Sequence, residues 1–222
     1  MNSVLDLIKR EKPENLAVAF DLGGSIDRTE LFGEYKANRH ETPEAIKIAV
    51  PYIHNILEAM GIPILMKSGY EADDIIGTVA KQAEKSNYDV FMVTPDKDFA
   101  QLVSEHIFMY RPARMGNGIE IWGIPEVQKK FEVKDPIQVI DFLGMMGDSV
   151  DNIPGLPGVG EKTAKKFINQ YGSIENLLQN THEIKGKLRD KIENNSEQGI
   201  LSKKLATILL DVPIDYDFHD FK

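Results

Sequence analysis

The apolar positions in the first half of the chain form short, nearly continuous runs that alternate with amphipathic stretches of helical spacing. The runs cover residues 16–20, 62–66, 89–94 and 106–110. Runs of this length are typical of parallel strands that are buried on both faces. Strands that alternate with helices predict an α/β fold, in which helices cover both faces of a mostly parallel sheet.

From about residue 123 onward the apolar spacing is helical only. It predicts helices at about 125–131, 136–146, 161–171, 173–178, 184–194 and 196–210, around a glycine- and proline-rich loop at 147–160. We therefore expect an α/β core over residues 1–122, a helical subdomain over 123–213, and a tail or linker over 214–222. Gly116, Asn117 and Gly118 predict a hairpin turn before a last edge strand.

Composition excludes several classes of protein. The chain has 222 residues, of which 42% are hydrophobic, so it can bury a sizeable core. It contains no cysteine, which excludes a disulfide framework and a thiolate site. No apolar run approaches the ~18 residues of a membrane span, so we expect no membrane partner. The net charge of −9 argues against a generic nucleic-acid coat, but carboxylates that bind metal would also produce it.

Acidic residues follow the predicted strands. The residues in question are Asp21, Glu71, Asp73, Asp74, Asp96 and Asp98. Because the carboxyl ends of parallel strands share one edge of a sheet, we expect these carboxylates to converge there. A further pair, Asp148 and Asp151, lies in the glycine-rich loop. For Glu71, Asp73 and Asp74 a plain helix-capping role is the alternative, since free amides and the helix dipole favour acids at a helix start.

Eight converging carboxylates would raise one another's pKa unless cations compensated them. No run of lysines lies nearby in the sequence, so divalent metal is the simplest explanation. Oxygen ligands favour Mg²⁺ or Mn²⁺. Two such ions ~4 Å apart would activate water and stabilise the leaving oxygen of a phosphodiester. The alternative, scattered and solvated acids, requires several coincidental placements at element ends.

Two basic or glycine-rich segments are candidates for phosphate binding. Arg28, Lys36 and Arg39 lie in a polar excursion over 22–39, which is either a mobile phosphate-gripping arm or a solvated loop. The turn over 153–164 opens a helix and would present free amides to the duplex backbone, unless it is only a structural loop. Its candidate DNA-binding residues are Gly155, Gly158, Gly160, Lys162, Thr163, Lys165 and Lys166. It lacks the spacing of a nucleotide P-loop.

The chain resembles the 5′-3′ exonuclease domain of bacterial DNA polymerase I, a relative of the flap endonucleases with a PIN-like fold. The matching segments are 17–21 (AVAFD), 34–39 (EYKANR), 69–77 (GYEADDIIG), 94–98 (TPDKD) and 147–164. The resemblance implies two-metal hydrolysis of 5′ flaps and 5′ ends of DNA, including RNA primers. It assigns all eight acids to the metal site and Arg28, Lys36 and Arg39 to a basic arm. It also assigns the glycine turn to a helix-three-turn-helix that holds duplex DNA, often with K⁺.

This chain also departs from the family pattern. The family's domain opens with a strand that ends in a metal-binding aspartate, and this chain starts after that strand. We therefore expect one ligand fewer, open strand edges in the middle of the sheet, and a homodimer through those edges or a rearranged sheet. The alternative function is a DNA-binding fragment that cleaves poorly; a nucleotide phosphatase fits less well. The resemblance further implies a cytoplasmic, nucleoid-associated bacterial protein with a polymerase domain in cis in the full-length protein.

Overall fold

The computed structural model describes residues 2–39, 41–112 and 118–222, and its elements follow the predicted order. The α/β half comprises α1 (Asn2–Glu11), β1 (Val18–Ala19), α2 (Ile26–Leu31), α3 (Glu44–Ala59), β2 (Ile64–Leu65), α4 (Ala72–Lys85), β3 (Val90–Val93), β4 (Ile107–Arg111) and β5 (Glu120–Trp122). The helical half comprises α5 (Ile124–Phe131), α6 (Val139–Met146), α7 (Glu161–Tyr171), α8 (Ile174–Gln179), α9 (Lys187–Glu193) and α10 (Ser196–Ala206). The expected order of an α/β half followed by a helical half is confirmed.

The strands form two sheets within the described residues. β1 pairs in parallel with β2, and β3 pairs in parallel with β4, which is antiparallel to β5. No hydrogen-bonded ladder joins β1 to β3 in the described part of the chain, so the expected open edges are present. The antiparallel edge strand is confirmed, although Gly116 and Asn117 of the predicted turn lie outside the described residues.

Helix α4 lies against both sheets and brings their carboxyl ends together. Its Ile75 packs with Leu65 of β2, while its Ala80 belongs to the same core as Met92 of β3. A helix that buries its apolar stripe on two parallel pairs fixes the direction of both. The residues that follow β1 and β3 are therefore held near the start of α4.

The two halves of the chain share one hydrophobic core. Met92 and Ile107 of the three-stranded sheet belong to the same buried cluster as Phe142 of α6 and Leu205 of α10. Helix α6 can lie in the centre of this core because its sequence, VIDFLGMM, is apolar around most of its circumference. Among the described residues, no helix is long and apolar enough to cross a bilayer.

The C-terminal segment packs on the α/β half, so the expectation of a tail or linker over 214–222 was wrong. Phe221 is buried beside Leu65 and Ile75, and its carbonyl accepts a 2.7 Å hydrogen bond from the amide of Leu16. The segment carries aromatic residues among acids without a helical or strand period, which made it resemble a linker in the sequence. Its aromatic rings bury apolar area regardless of that missing period.

Candidate active site

The acids that follow the strands meet at the start of α4. Asp21 follows β1, and its Oδ1 accepts a 2.7 Å hydrogen bond from the amide of Ala72. Asp96 follows β3 and caps the next turn, where its Oδ1 accepts a 3.0 Å hydrogen bond from the amide of Asp98. Two strand ends and one helix start thus contribute carboxylates to one common edge, as the sequence pattern predicted. We call this edge the rim; its acids from the α/β half are Asp21, Glu71, Asp73, Asp96 and Asp98.

The pKa values of two carboxyl groups reflect this convergence. Burial raises the pKa of Asp73 to about 7, and the charges of Asp96, Glu71 and Asp21 raise it further while Lys36 opposes them. Burial likewise raises the pKa of Asp98 to about 6, with Asp96 as the next cause. Such shifts arise where like charges share one site without enough compensation.

The helical half contributes the last pair of acids. Asp148 Oδ2 lies 2.5 Å from Lys97 Nζ, which in turn lies 3.5 Å from Oδ1 of Asp98. Burial opposes ionisation of Asp148, but the hydrogen bonds from Lys97 and from the amides of Val150 and Asp151, together with the charge of Lys97, lower the pKa of Asp148. The loop that carries Asp148 is closed by paired backbone bonds between Asp148 and Ile153.

The segment 33–39, which the sequence predicted as either a mobile basic arm or a solvated loop, is docked on the loop that carries Asp148. Lys36 Nζ lies 2.7 Å from Oε1 of Glu71 and 3.7 Å from Oδ2 of Asp151. Arg39 Nη2 lies 2.5 Å from Oδ1 of Asp151, and Asn152 Nδ2 donates a 2.7 Å hydrogen bond to the carbonyl of Glu34. Lys36 and Arg39 therefore lie on the rim itself, as counter-ions to its acids.

Arg28 and Asp74 lie beneath the rim, and their predicted roles are corrected. Arg28 is 6% exposed and Asp74 is fully buried. Their side chains form two hydrogen bonds of 2.7 Å with each other. Burial would lower the pKa of Arg28, but its hydrogen bond and charge interaction with Asp74 raise it instead. Arg28 cannot reach a substrate on a basic arm, and Asp74 has no free oxygen lone pair with which to bind a metal ion.

The remaining acids supply the negative charge and oxygen atoms that divalent ions require, although lysine side chains separate them. In the described residues no three acidic or histidine side chains are grouped tightly enough to hold one ion. The side chains of Lys36 and Lys97 lie between the carboxylates. One oxygen of Asp98, Oδ1, is buried without a hydrogen-bond partner, which is the environment of a ligand atom. Arg28 neutralises Asp74, so seven carboxylates remain at the rim with three cationic side chains, which are those of Lys36, Arg39 and Lys97. Two divalent ions would balance the remaining negative charge.

The glycine turn divides into a buried part and an exposed part. Gly155 is buried, has a φ of +66°, and lies so close to Met146 and Gly147 that a Cβ would be 2.6–2.7 Å from their backbone atoms. Packing therefore requires a glycine at position 155. The prediction that Gly155 contacts DNA is corrected, because this residue is buried within the protein. Gly158 and Gly160 are exposed, and the amides at the start of α7 receive no side-chain cap.

The basic residues of α7 also differ from one another. Lys165 Nζ lies 3.3 Å from Oε1 of Glu132 and 3.1 Å from Oε1 of Glu161, so its charge is balanced by acids of the protein itself. Lys162 and Lys166 are exposed and form no ion pair with any residue that the structure describes. Thr163 is half-buried on the first turn of the same helix. Lys162 and Lys166 are therefore the lysines that remain free to meet a phosphate.

Three residues at the site were missed in the sequence. Tyr35 is buried and its hydroxyl donates a 3.2 Å hydrogen bond to Glu71 Oε2. Lys97 bridges two acids, as described above. Lys191 of α9 reaches the glycine turn, because a Cβ on Gly158 would lie 3.8 Å from its Nζ. Tyr35 and Lys97 stood inside the recognised motifs, whereas no sequence signal linked Lys191 to the turn.

Two family models match the chain end to end. The model described as "5′-3′ exonuclease, N-terminal resolvase-like domain" matches residues 1–132, and the one described as "5′-3′ exonuclease, C-terminal SAM fold" matches residues 134–222. Among curated relatives, DNA polymerase I of Bacillus subtilis is 41% identical over 213 residues, which are 96% of this chain and 24% of that protein. A 5′-3′ exonuclease of Aquifex aeolicus is 36% identical over all of this chain and 74% of its own length.

Solved structures share the fold at lower identity. The T5 D15 protein, crystallised with metal ions, superposes with a TM-score of 0.78 at 22% identity over 92% of this chain and 80% of its own. The catalytic core of Rad2 in complex with DNA substrate superposes with a TM-score of 0.59 at 19% identity, over 90% of this chain and 67% of its own. The chain spans about a quarter of the length of the curated DNA polymerase I relatives.

Proposed function

This chain belongs to the 5′-3′ exonuclease family, and from that premise we propose that it hydrolyses phosphodiester bonds at 5′ flaps and 5′ ends of DNA, including RNA primers. The observation that carries the proposal is the rim, where acids from β1, α4, the turn after β3 and the loop at 148–151 converge. These segments are distant in sequence, and no structural requirement of the fold brings so many like charges together.

Divalent ions would be held by the acids of the rim other than Asp74. We propose Glu71, Asp73, Asp96, Asp98, Asp148 and Asp151 as ligands, with Asp21 beside them. Mg²⁺ or Mn²⁺, two ions or more, would supply Lewis-acid stabilisation and an activated water when bound. Lys36 and Arg39 would leave their acidic partners and hold the oxygens of the scissile phosphate.

The helical half would hold the duplex through its backbone. Gly158 and Gly160 let the chain approach a phosphate closely, and the uncapped amides of α7 point to the same place. Lys162, Lys166 and Lys191 add positive charge there. A K⁺ ion at this turn is part of the proposal, since it would join backbone carbonyls to a phosphate.

Cleavage of a labelled 5′-flap oligonucleotide in Mg²⁺ tests the proposal. Asp148→Asn removes one rim carboxylate and should lower the rate by at least about a hundredfold. Glu197→Gln, an equivalent change at an exposed acid on α10, is the matched control and should cleave at the wild-type rate. Equal rates for wild type and Asp148→Asn would refute the proposed nuclease.

A second candidate function is binding of branched duplex DNA without efficient cleavage. The separation of the rim acids by Lys36 and Lys97 favours it, because those lysines must move before an ion can bind several acids at once. Gel-shift binding in EDTA, measured beside cleavage in Mg²⁺, separates the two candidates. Retention of DNA with no detectable product in either Mg²⁺ or Mn²⁺ would favour the second.

Further features of the proposal concern organisation and partners. We propose a nuclease core over 1–122 and a DNA-binding subdomain over 123–213, with 214–222 packed back on the core.

Phe91 and Val93 on β3 are 49% and 46% exposed beside an open strand edge, which supports a homodimer through that edge. Sedimentation of the purified chain tests the dimer. A polymerase domain in cis in the full-length protein and a cytoplasmic, nucleoid-associated location complete the proposal.

A further inference from the structure

Arg28 has all five of its side-chain N–H donors satisfied. Nη1 and Nη2 each donate a 2.7 Å hydrogen bond to Asp74, and Nη1 lies 3.5 Å from Oε2 of Glu71. Nη2 also donates to the carbonyl of Thr207 at 2.7 Å, and Nε to that of Leu205 at 3.1 Å. A guanidinium has five such donors, so this side chain has none left for a substrate.

Asp74 is saturated in the same way. Its Oδ1 accepts from Arg28 and, at 2.9 Å, from the amide of Leu209. Its Oδ2 accepts from Arg28 and, at 3.2 Å, from the amide of Glu71. An ionised carboxylate has about four lone-pair sites, and all of them are in use. This carboxylate is therefore a cap and an anchor within the protein.

The pair joins three parts of the chain that are far apart in sequence. Arg28 belongs to α2, Asp74 to the first turn of α4, and Leu205, Thr207 and Leu209 to the end of α10 and the segment after it. The last of these belongs to the helical half, so the pair ties the helical half to the start of α4.

Residues 205–209 are also hydrogen-bonded to the turn that bears Asp98. Gln101 Nε2 donates to the carbonyls of Asp98 at 2.9 Å and Ala206 at 3.0 Å, and its Oε1 accepts from the amide of Ile208 at 2.9 Å. The segment 205–209 is thus hydrogen-bonded to two of the three acid-bearing segments of the α/β half, the start of α4 and the turn after β3. Its position is coupled to the position of the rim.

We propose that Arg28 and Asp74 form a buried clasp that positions Glu71 on the rim and couples the rim to the helical half. The clasp holds Glu71 twice, because Asp74 binds its backbone amide and Arg28 approaches its carboxylate. Both clasp residues are positioning residues, since neither faces the rim. This inference rests on the proposed function only for the meaning of the rim as a metal site.

The clasp has properties that a merely stabilising ion pair lacks. The charge pairing itself gains little over apolar residues of similar size, so the attraction between the two charges does not by itself explain the pair. Groups that orient metal ligands typically change metal affinity by about 10- to 100-fold when they are removed. Loss of the clasp should therefore weaken ion binding even where folding is preserved.

The experiment compares wild type with Arg28→Met/Asp74→Leu and with Lys203→Met. The double variant removes both buried charges together, but it leaves the carbonyls of Leu205 and Thr207 and the amides of Glu71 and Leu209 without these side-chain partners. It should therefore melt at a lower temperature than wild type, and a variant that loses stability elsewhere is needed as the control. Lys203→Met removes a partly exposed lysine that pairs with Asp141 and Glu175 within the helical half, so it destabilises the protein away from the rim. Calorimetric titration with Mn²⁺, without DNA, measures metal affinity, and flap cleavage in Mg²⁺ gives kcat and KM separately.

The double variant should bind Mn²⁺ about tenfold more weakly and lose about tenfold in kcat with little change in KM. Lys203→Met should lose thermal stability and keep wild-type Mn²⁺ affinity. Wild-type Mn²⁺ affinity in the double variant would overturn the clasp. If the double variant does not fold, Arg28→Lys serves instead, because it keeps the charge but has too few donors; undiminished Mn²⁺ affinity there would equally overturn the clasp.

The outcomes separate the clasp from the proposed nuclease. A wild-type protein that binds Mn²⁺ but cleaves no flap refutes the nuclease, while a weaker affinity in the double variant still supports the clasp. A wild-type protein that cleaves flaps, with a double variant that binds Mn²⁺ equally well, refutes only the clasp. A wild-type protein that binds no Mn²⁺ refutes both.

Discussion

Lys97 Nζ lies 2.5 Å from Oδ2 of Asp148, and this contact joins the turn after β3 to the loop of the helical half. Asp98 lies 3.5 Å from the same ammonium group. The lysine side chain is 40% exposed, so it can leave the rim without disturbing the core. Lys97 thus acts as a tethered counter-ion for two acids that we propose as metal ligands.

Replacement of Lys97 by Met should tighten binding of Mg²⁺. The lysine charge opposes a divalent ion at the same acids, and a unit charge acting on a divalent ion ~4 Å away in water amounts to ~2 kcal/mol. We expect affinity to rise by up to about thirtyfold in a calorimetric titration. Lys47→Met, which removes an exposed ion pair with Glu41, is the control and should leave the affinity for Mg²⁺ unchanged. Weaker Mg²⁺ binding in Lys97→Met would mean that this lysine organises the ligands.

The free energy of unfolding of the metal-free protein should fall as the pH rises from about 4 to about 7. The pKa values of Asp73 and Asp98 are raised to about 7 and about 6 in the folded chain, against ~3.9 when unfolded. The folded state then binds more protons than the unfolded state, so the contribution is complete below about pH 4 and is lost as pH rises through 6 and 7. Asp148, whose pKa is lowered, acts in the opposite sense, but at lower pH.

Thermal unfolding in EDTA at pH 5 and pH 8 measures this effect. Wild type should melt at a lower temperature at pH 8, and the Asp73→Asn/Asp98→Asn variant should show a smaller difference. Mg²⁺ should raise the melting temperature of wild type more at pH 8 than at pH 5, since it binds the ionised carboxylates. A pH difference that is identical in wild type and the double variant would contradict the raised pKa values.

Phe221→Ala should destabilise the protein by about 3 kcal/mol in urea unfolding. Phe221 is 7% exposed and packs against Leu65 and Ile75, and loss of a buried aromatic side chain costs ~3–5 kcal/mol, with the low end expected near a chain end that can relax. His219→Ala, at an exposed position in the same turn, should have little effect. If both variants unfolded at the wild-type urea concentration, residues 214–222 would indeed be a linker.

Gly155 and Gly160 should respond differently to Ala. Gly155→Ala adds a Cβ at 2.6–2.7 Å from backbone atoms and at a φ of +66°, so we expect a loss of about 3 kcal/mol or failure to fold. Gly160→Ala meets nothing within 4 Å and should cost less than about 1 kcal/mol of stability. It should nevertheless weaken binding of duplex DNA several-fold in fluorescence anisotropy, because the added methyl group lies where a phosphate would approach. Wild-type DNA affinity in Gly160→Ala would contradict a phosphate contact at this turn.

Sequence reasoning reached the architecture because the signals for it are local. The continuous apolar runs around Val18, Ile64 and Phe91 identify the strands, and the placement of Asp21 and Asp96 after strands predicts the common rim. Burial on both faces was wrong for β3, where Phe91 is 49% exposed. Strand lengths were overestimated, since a continuous apolar run also extends into the loop that follows a strand. The tail escaped prediction because its aromatic residues have no regular spacing.

The roles of individual charged residues could not be read from spacing. Glu71, Asp73 and Asp74 are equivalent in sequence, yet Asp74 caps the helix and binds Arg28, while Asp73 forms no hydrogen bond or ion pair with the residues that the structure describes. The partners that decide this, at positions 28 and 205–209, lie 46 and about 130 residues away. Arg28 looked like part of an exposed arm for the same reason. Long-range contacts alone distinguish a buried anchor from a ligand.

The position of Mn²⁺ in crystals of the protein tests the central claim most directly, because anomalous scattering locates that ion independently of activity. The account predicts anomalous peaks at the rim, within bonding distance of carboxylates that include Asp73, Asp98 and Asp148, with Lys97 displaced from Asp148. Peaks confined to other surfaces, with Lys97 still bound to Asp148 at saturating Mn²⁺, would contradict it.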